Sequence, residues 1–222
     1  MNILTSNENL AECLVNTLPY GLQGLFNPWR DHCQHENPDD GPDARLQRLA
    51  WHLNCDPEFI LVGEAPGYQG CRYSGIAFTS ERLLCEGAIP RIPVLPGRLS
   101  TRHIPFSEPS ATIVWKTLYR LGLAERTILW NALQLHPYRP ENPWSNRTPT
   151  SEEIAIGVPA LRLLMVAFPS AKVVAIGKKA EGLLRSMGVK VAATVRHPAN
   201  GGATAFALGM EELAAPAKIK NH

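Results

Sequence analysis

Four short apolar runs, each rich in β-branched or large aliphatic residues, constrain this chain more than any other feature. They are residues 59–62 (FILV), 127–130 (TILW), 172–176 (KVVAI) and 190–195 (KVAATV), and each ends at polar or glycine-rich sequence. Between them the apolar residues change period. Residues 112–121 (TIVWKTLYRL) and 152–168 space them three and four apart, as on one face of a helix. Thr150 with Glu153 three residues on opens the second of these with a capping box, and Gly188 is placed to close a shorter helix over 178–187. Two further helices are expected at 9–17 and 44–54. Strands alternating with helices predict an α/β fold, a central, mostly parallel four-stranded sheet with helices on both faces. We read it as a single domain in which residues 1–57 form a helical extension packed on the sheet.

Composition narrows the function classes. With 222 residues the chain can bury one large core, and a net charge of +2 is too mild to announce nucleic acid. A nucleic-acid site would have to be a local patch. The five cysteines are scattered with no C-x-x-C pair, which argues against a disulfide framework and a cysteine-based metal site. The stretch Asp31-His-Cys-Gln-His35 lacks the second ligand pair that structural zinc wants, so no metal is expected. No run of about 18 apolar residues is present to span a membrane, and the N-terminal stretch lacks the pattern of a secretory signal. A reducing cytoplasm and a monomer without membrane or obligate protein partners are the expectation.

In open parallel sheets, ligands collect beyond the carboxyl ends of the strands. That rule points to residues 63–80 after the first run, 131–139 after the second and 196–202 after the fourth. Glu64, directly after a buried strand, suits a base or a cation stabiliser; its plainer reading is a helix cap or a partner of Arg72. Asn131 carries donor and acceptor on one plane, as needed to read the amide edge of a base, and equally serves to tie two loops together. His136 reads as packing. His197, held by a proline turn and two glycines, can donate to a developing oxyanion or serve structure alone.

In this order and strand context, the segments resemble the uracil-DNA glycosylase superfamily over about residues 58–213. Gly63-Glu-Ala-Pro-Gly67 looks like its first motif and His197-Pro-Ala-Asn200 like its second. The resemblance implies that Phe78 stacks on a flipped base and Asn131 reads it, with Gly63, Ala65 and Gly67 around them. Glu64 and His197 would be catalytic, one toward water and the sugar, the other toward the leaving base. Pro66, Arg72, Ser74, Pro198, Ala199, Asn200 and Gly201 would face DNA, and Arg139 and Arg147 would add phosphate contacts. The implied activity is a monofunctional DNA glycosylase that needs no cofactor and acts on DNA containing uracil or a related deaminated base. The alternative is a non-catalytic or weakly active member of the same fold that binds damaged bases or nucleic acid.

Three departures bear on this. The four cysteines of the iron–sulfur members are missing. Gly67 stands where the uracil-strict members carry a tyrosine that excludes the thymine methyl, which predicts a more permissive pocket. The loop 199–203 has no large side chain to wedge into a duplex, so Asn200 fills the gap weakly or single-stranded and mispaired DNA is preferred. No lysine falls in the three motifs, which argues against a Schiff-base lyase step.

Overall fold

The computed structural model describes residues 7–215. In chain order the helices are α1 (Asn7–Asn16), α2 (Pro42–Leu53), α3 (Cys71–Ser74), α4 (Glu81–Cys85), α5 (Pro109–Arg120), α6 (Ser151–Ile156), α7 (Val158–Ala167), α8 (Lys178–Ser186) and α9 (Ala203–Ala214). The strands are β1 (Leu25–Phe26), β2 (Phe59–Gly63), β3 (Thr127–Asn131), β4 (His136–Pro137), β5 (Lys172–Ile176) and β6 (Ala193–Val195). Four of them form one parallel sheet in the order β3-β2-β5-β6, and β1 and β4 pair as a separate antiparallel ribbon. Among the described residues no helix is long and apolar enough to cross a membrane.

Alternation along the buried strands divides the core. Ile60, Val62, Ile128, Trp130, Val173 and Ala175 face one side, where they meet Leu10 and Leu14 of α1, Leu49 and Leu53 of α2, Leu161 and Leu164 of α7 and Leu184 of α8. Phe59, Leu61, Leu129, Val174, Ile176 and Val195 face the other, against Val114, Trp115 and Leu118 of α5 and Phe206 and Met210 of α9. A strand buried on both faces has to be apolar at every position, which is why these runs are continuous rather than alternating.

Two differences from the sequence expectation have a physical reason in the chain. The single helix over 152–168 is two, because Pro159 enters the first turn of α7, where it brings no N–H and fixes its own φ. The capping box at its start is formed, with the Thr150 side chain and Glu153 exchanging hydrogen bonds with each other's backbone N–H. The last strand is shorter than 190–195, since pairing with β5 runs only from Ala193 to Val195.

The N-terminal third does more than cover the sheet. From α2, Arg48 makes a 2.6 Å ion pair with Asp40 and donates to the carbonyls of Tyr73 and Ser74 at 3.1 and 2.8 Å. Trp29 Nε1 donates to the Gly75 carbonyl at 3.1 Å. These bonds hold the far end of the segment after β2, residues 73–75, against the N-terminal third.

Candidate functional site

The parallel register sets Gly63 directly beside Asn131, so the ends of β2 and β3 are flush and their outgoing loops leave together. Ala132 and Leu133 N–H groups donate to the carbonyls of Gly63 and Glu64 at 2.9 and 3.0 Å, locking the two loops side by side. A Cβ on Gly63 would lie 2.8 Å from the Asn131 side-chain oxygen and 2.8 Å from the Phe78 ring. Glycine here is what allows the amide and the aromatic ring to converge on one point. Phe78 holds a left-handed backbone, φ 49°, that a bulky residue adopts only when its surroundings impose it.

Above this point opens a cavity of about 880 Å³. Its wall includes Glu64, Ala65, Pro66 and Gly67 from the first loop, Phe78 and Asn131 from its floor, and His197, Ala199 and Asn200 from the loop after β6. Among the described residues the Asn131 carboxamide has no hydrogen-bond partner, so both its donor and its acceptor stay open to the cavity. The ring centroids of Phe78 and His197 are 5.9 Å apart. Ala199 N–H donates to His197 Nδ1 at 3.1 Å, which leaves the ring proton on Nε2 when the imidazole is neutral. Burial, with the Arg196 cation beside it, lowers the His197 pKa, so the neutral, Nε2-protonated ring is the form present at pH 7.

Other expected site residues lie elsewhere. Arg72 is 3% exposed, stacked 3.8 Å over the Phe26 ring and donating to His136 Nδ1 at 3.0 Å. It is an internal strut, not a phosphate contact. His136 passes the bond on, donating from Nε2 to the Ser145 carbonyl at 3.0 Å, and burial next to Arg72 lowers its pKa to about 3. Ser74 is fully buried, with its hydroxyl donating to the Ile76 carbonyl at 3.0 Å, and Pro198 is buried too, so neither presents a face to DNA. Arg147 is committed to Glu153 at 2.6 Å and to the Gly24 carbonyl at 2.9 Å. Arg139 and Gly201 are exposed but lie outside the cavity wall. Asn200, in the left-handed region at φ 53°, stands exposed at the rim. In the stretch Asp31–His35, Asp31 caps backbone N–H groups of Gly21 and Asn27, His32 pairs with Glu36 and His35 packs on Trp144. No cluster of three or more metal-ligating groups occurs among the described residues.

The cavity also holds residues that sequence reasoning passed over. Lys178 and Lys179 at the start of α8, and Arg196 before His197, put three cations on its wall. Lys179 Nζ is 3.5 Å from Glu64 Oε1. The lysines follow the carboxyl end of β5, so all four strand ends of the sheet contribute to the cavity. Cys71 and Glu108 line the inner wall, and nothing local in the sequence marks Glu108 as belonging there.

A profile of the Uracil DNA glycosylase superfamily matches residues 92–213, more than half of the chain. The chain belongs to the uracil-DNA glycosylase superfamily. The matched span contains Asn131 and His197, whereas the Gly63–Gly67 motif precedes it. Among solved structures, wild-type SMUG2 of Pedobacter heparinus superposes with a TM-score of 0.63, covering 95% of this chain and 96% of that one at 16% identity. That likeness is one of fold. The comparison with curated proteins found no match. Membership in the superfamily supports DNA glycosylase chemistry in general.

Proposed function

We propose that this chain is a monofunctional DNA glycosylase that hydrolyses the N-glycosidic bond of uracil or a related deaminated base. The observation that carries the reading is the convergence of Phe78, Asn131, Glu64 and His197 on one cavity. A base rotated out of its strand stacks on Phe78, where stacking recovers about 1–3 kcal/mol of the cost of extrusion. The Asn131 amide hydrogen-bonds its edge. As the bond from C1′ to the base nitrogen breaks, the electron pair leaves with the base, and the His197 Nε2–H donates to the oxygen that gathers the charge. Glu64 faces the electron-poor sugar and takes the proton of the water that adds to C1′. Lys178, Lys179 and Arg196 contact phosphates around the lesion; Lys179 faces the Glu64 carboxylate, an arrangement for charge balance rather than for a Schiff base.

Two expectations test this reading. Lys178→Ala weakens DNA binding evenly across sequences and lowers the slope of log affinity against log salt by about 1, measured by fluorescence anisotropy. An unchanged slope removes Lys178 from the interface. Second, base release is assayed on labelled oligonucleotides with uracil in single strands and opposite adenine or guanine, thymine opposite guanine, hypoxanthine and xanthine. Gly67→Tyr narrows the range accepted, since Gly67 lies on the cavity wall and a Cβ there meets only Asn146 at 3.6 Å, which leaves room for a larger side chain beside the base. An unchanged substrate profile sinks the assignment of Gly67 to the base pocket, and no release from any substrate sinks the glycosylase reading.

A further inference from the structure

Glu108 is a carboxyl group with no partner at the wall of a cavity otherwise built to bind something. It is the N-cap of α5, followed by Pro109 in the first turn, but its side chain makes no capping bond. It turns instead toward the segment after β2. A Cβ on Gly70 would lie 1.9 Å from its Oε2, so the carboxyl is pressed against the Gly70 backbone and only glycine leaves it that position. From there it lines the cavity together with Cys71, Phe78 and Asn131. Among the described residues it has neither a hydrogen-bond donor nor a cation within bonding distance. The three cations of the cavity are on α8 and on the loop after β6, and Lys179 already faces Glu64.

A half-buried carboxyl without a partner is costly to a fold, and ligand-binding walls are where such a cost is met by an incoming group. We propose that Glu108 is a base-reading residue of this cavity, hydrogen-bonding the N–H and C=O edge of a flipped lactam base alongside Asn131. This rests on the glycosylase reading and adds to it. A neutral carboxyl presents an O–H donor and a C=O acceptor side by side, the complement of the N–H and C=O pair that deamination creates in a base. A carboxylate offers acceptors only, and it repels a base that departs as an anion. Burial favours the neutral form and lifts the Glu108 pKa to about 7. The titratable groups that share its cavity are Cys71 on α3, Glu64 after β2, Lys178 and Lys179 on α8, and Arg196 and His197 after β6. The Cys71 thiol is pushed well above its ordinary range by burial and stays neutral throughout.

The test separates Glu108 from the chemistry. Binding of radiolabelled free uracil, hypoxanthine and xanthine is measured by equilibrium dialysis at pH 6 and pH 8.5, for wild type, Glu108→Gln and Glu108→Leu. Binding of an oligonucleotide carrying a tetrahydrofuran abasic-site analogue, which has no base, is measured alongside. Glu108→Leu should weaken base binding about three- to tenfold, the worth of one hydrogen bond, while its abasic-site binding holds. Glu108→Gln, which keeps a donor and an acceptor at every pH, should lose less of its base binding than wild type between pH 6 and 8.5. The other groups of the cavity titrate identically in wild type and Glu108→Gln, so the difference between those two profiles belongs to Glu108. Equal base binding by wild type and Glu108→Leu, parallel pH profiles for wild type and Glu108→Gln, or no base bound by wild type each overturns the proposal. Base bound through Glu108 with no release from DNA overturns the glycosylase reading and leaves Glu108 in place.

Discussion

His197→Ala lowers the single-turnover rate of base release by about 10²–10³-fold, the effect of removing one fixed donor from a developing oxyanion. The magnitude follows from how the ring is held. Ala199 N–H occupies Nδ1 at 3.1 Å, so the neutral ring has one proton, on Nε2. Burial and Arg196 keep the pKa low, so this donor is present at pH 7 without carrying a charge of its own. The rate should therefore fall, with binding of an abasic-site oligonucleotide nearly unchanged, because the interaction forms only as the bond breaks. A loss of product binding that matches the loss of rate would mean that the ring only shapes the loop. Glu64→Ala costs a comparable amount, about 10²–10⁴-fold, if the carboxylate takes the proton of water.

Glu81→Ala destabilises the fold by about 3–5 kcal/mol, through the loss of a buried anion that satisfies several donors at once. The Glu81 side chain is fully buried at the start of α4. Its Oε1 accepts from Arg98 Nε at 2.7 Å, Leu99 N–H at 3.0 Å and Ser100 N–H at 3.2 Å. Its Oε2 accepts from the Ser100 hydroxyl at 2.7 Å and Phe106 N–H at 2.9 Å. Alanine would leave buried N–H groups of Leu99, Ser100 and Phe106 without an acceptor. Burial alone would raise this carboxyl, but Arg98 and the N–H and hydroxyl donors outweigh it and hold its pKa below the usual 4.5. A depressed acid pKa stabilises the folded state above the ordinary value, and that contribution fades as pH falls below 4.5 toward the folded-state value. Urea denaturation should show a large gap between wild type and variant at pH 7 that shrinks in acid; a constant gap would mean that Glu81 acts by packing alone. The segment it anchors ends at Glu108, so the variant also loosens one wall of the cavity.

The strands were legible because a strand buried on both faces admits few polar residues, and β2, β3 and β5 are where the apolar runs place them. The capping box and the left-handed Gly188 that closes α8 were legible too, since caps are local chemistry. The β1–β4 ribbon was not. Each strand is two residues long, too short to show a period, and it exists because Leu25 and Phe26 meet Pro137 and His136 across more than a hundred residues. Arg72 was expected to face DNA; the groups that bury it, Phe26, Tyr138 and His136, come from that ribbon and its flank. The rule that ligands gather at strand carboxyl ends located Glu64, Asn131 and His197, and applied to β5 as well it reaches Lys178 and Lys179. Glu108 arrives from the N-cap of a helix, and only the packing of α5 against the loop after β2 reveals it.

The measurement that tests the central claim most directly is detection of the free base itself. Wild type and a Glu64→Ala, His197→Ala double variant are incubated with single-stranded DNA containing one uracil, and the released base is quantified by mass spectrometry. Stoichiometric uracil from wild type, and none above background from the folded double variant, is the result this account predicts. Release at equal rates by both proteins would contradict it, because the groups gathered on this cavity would then not perform the chemistry.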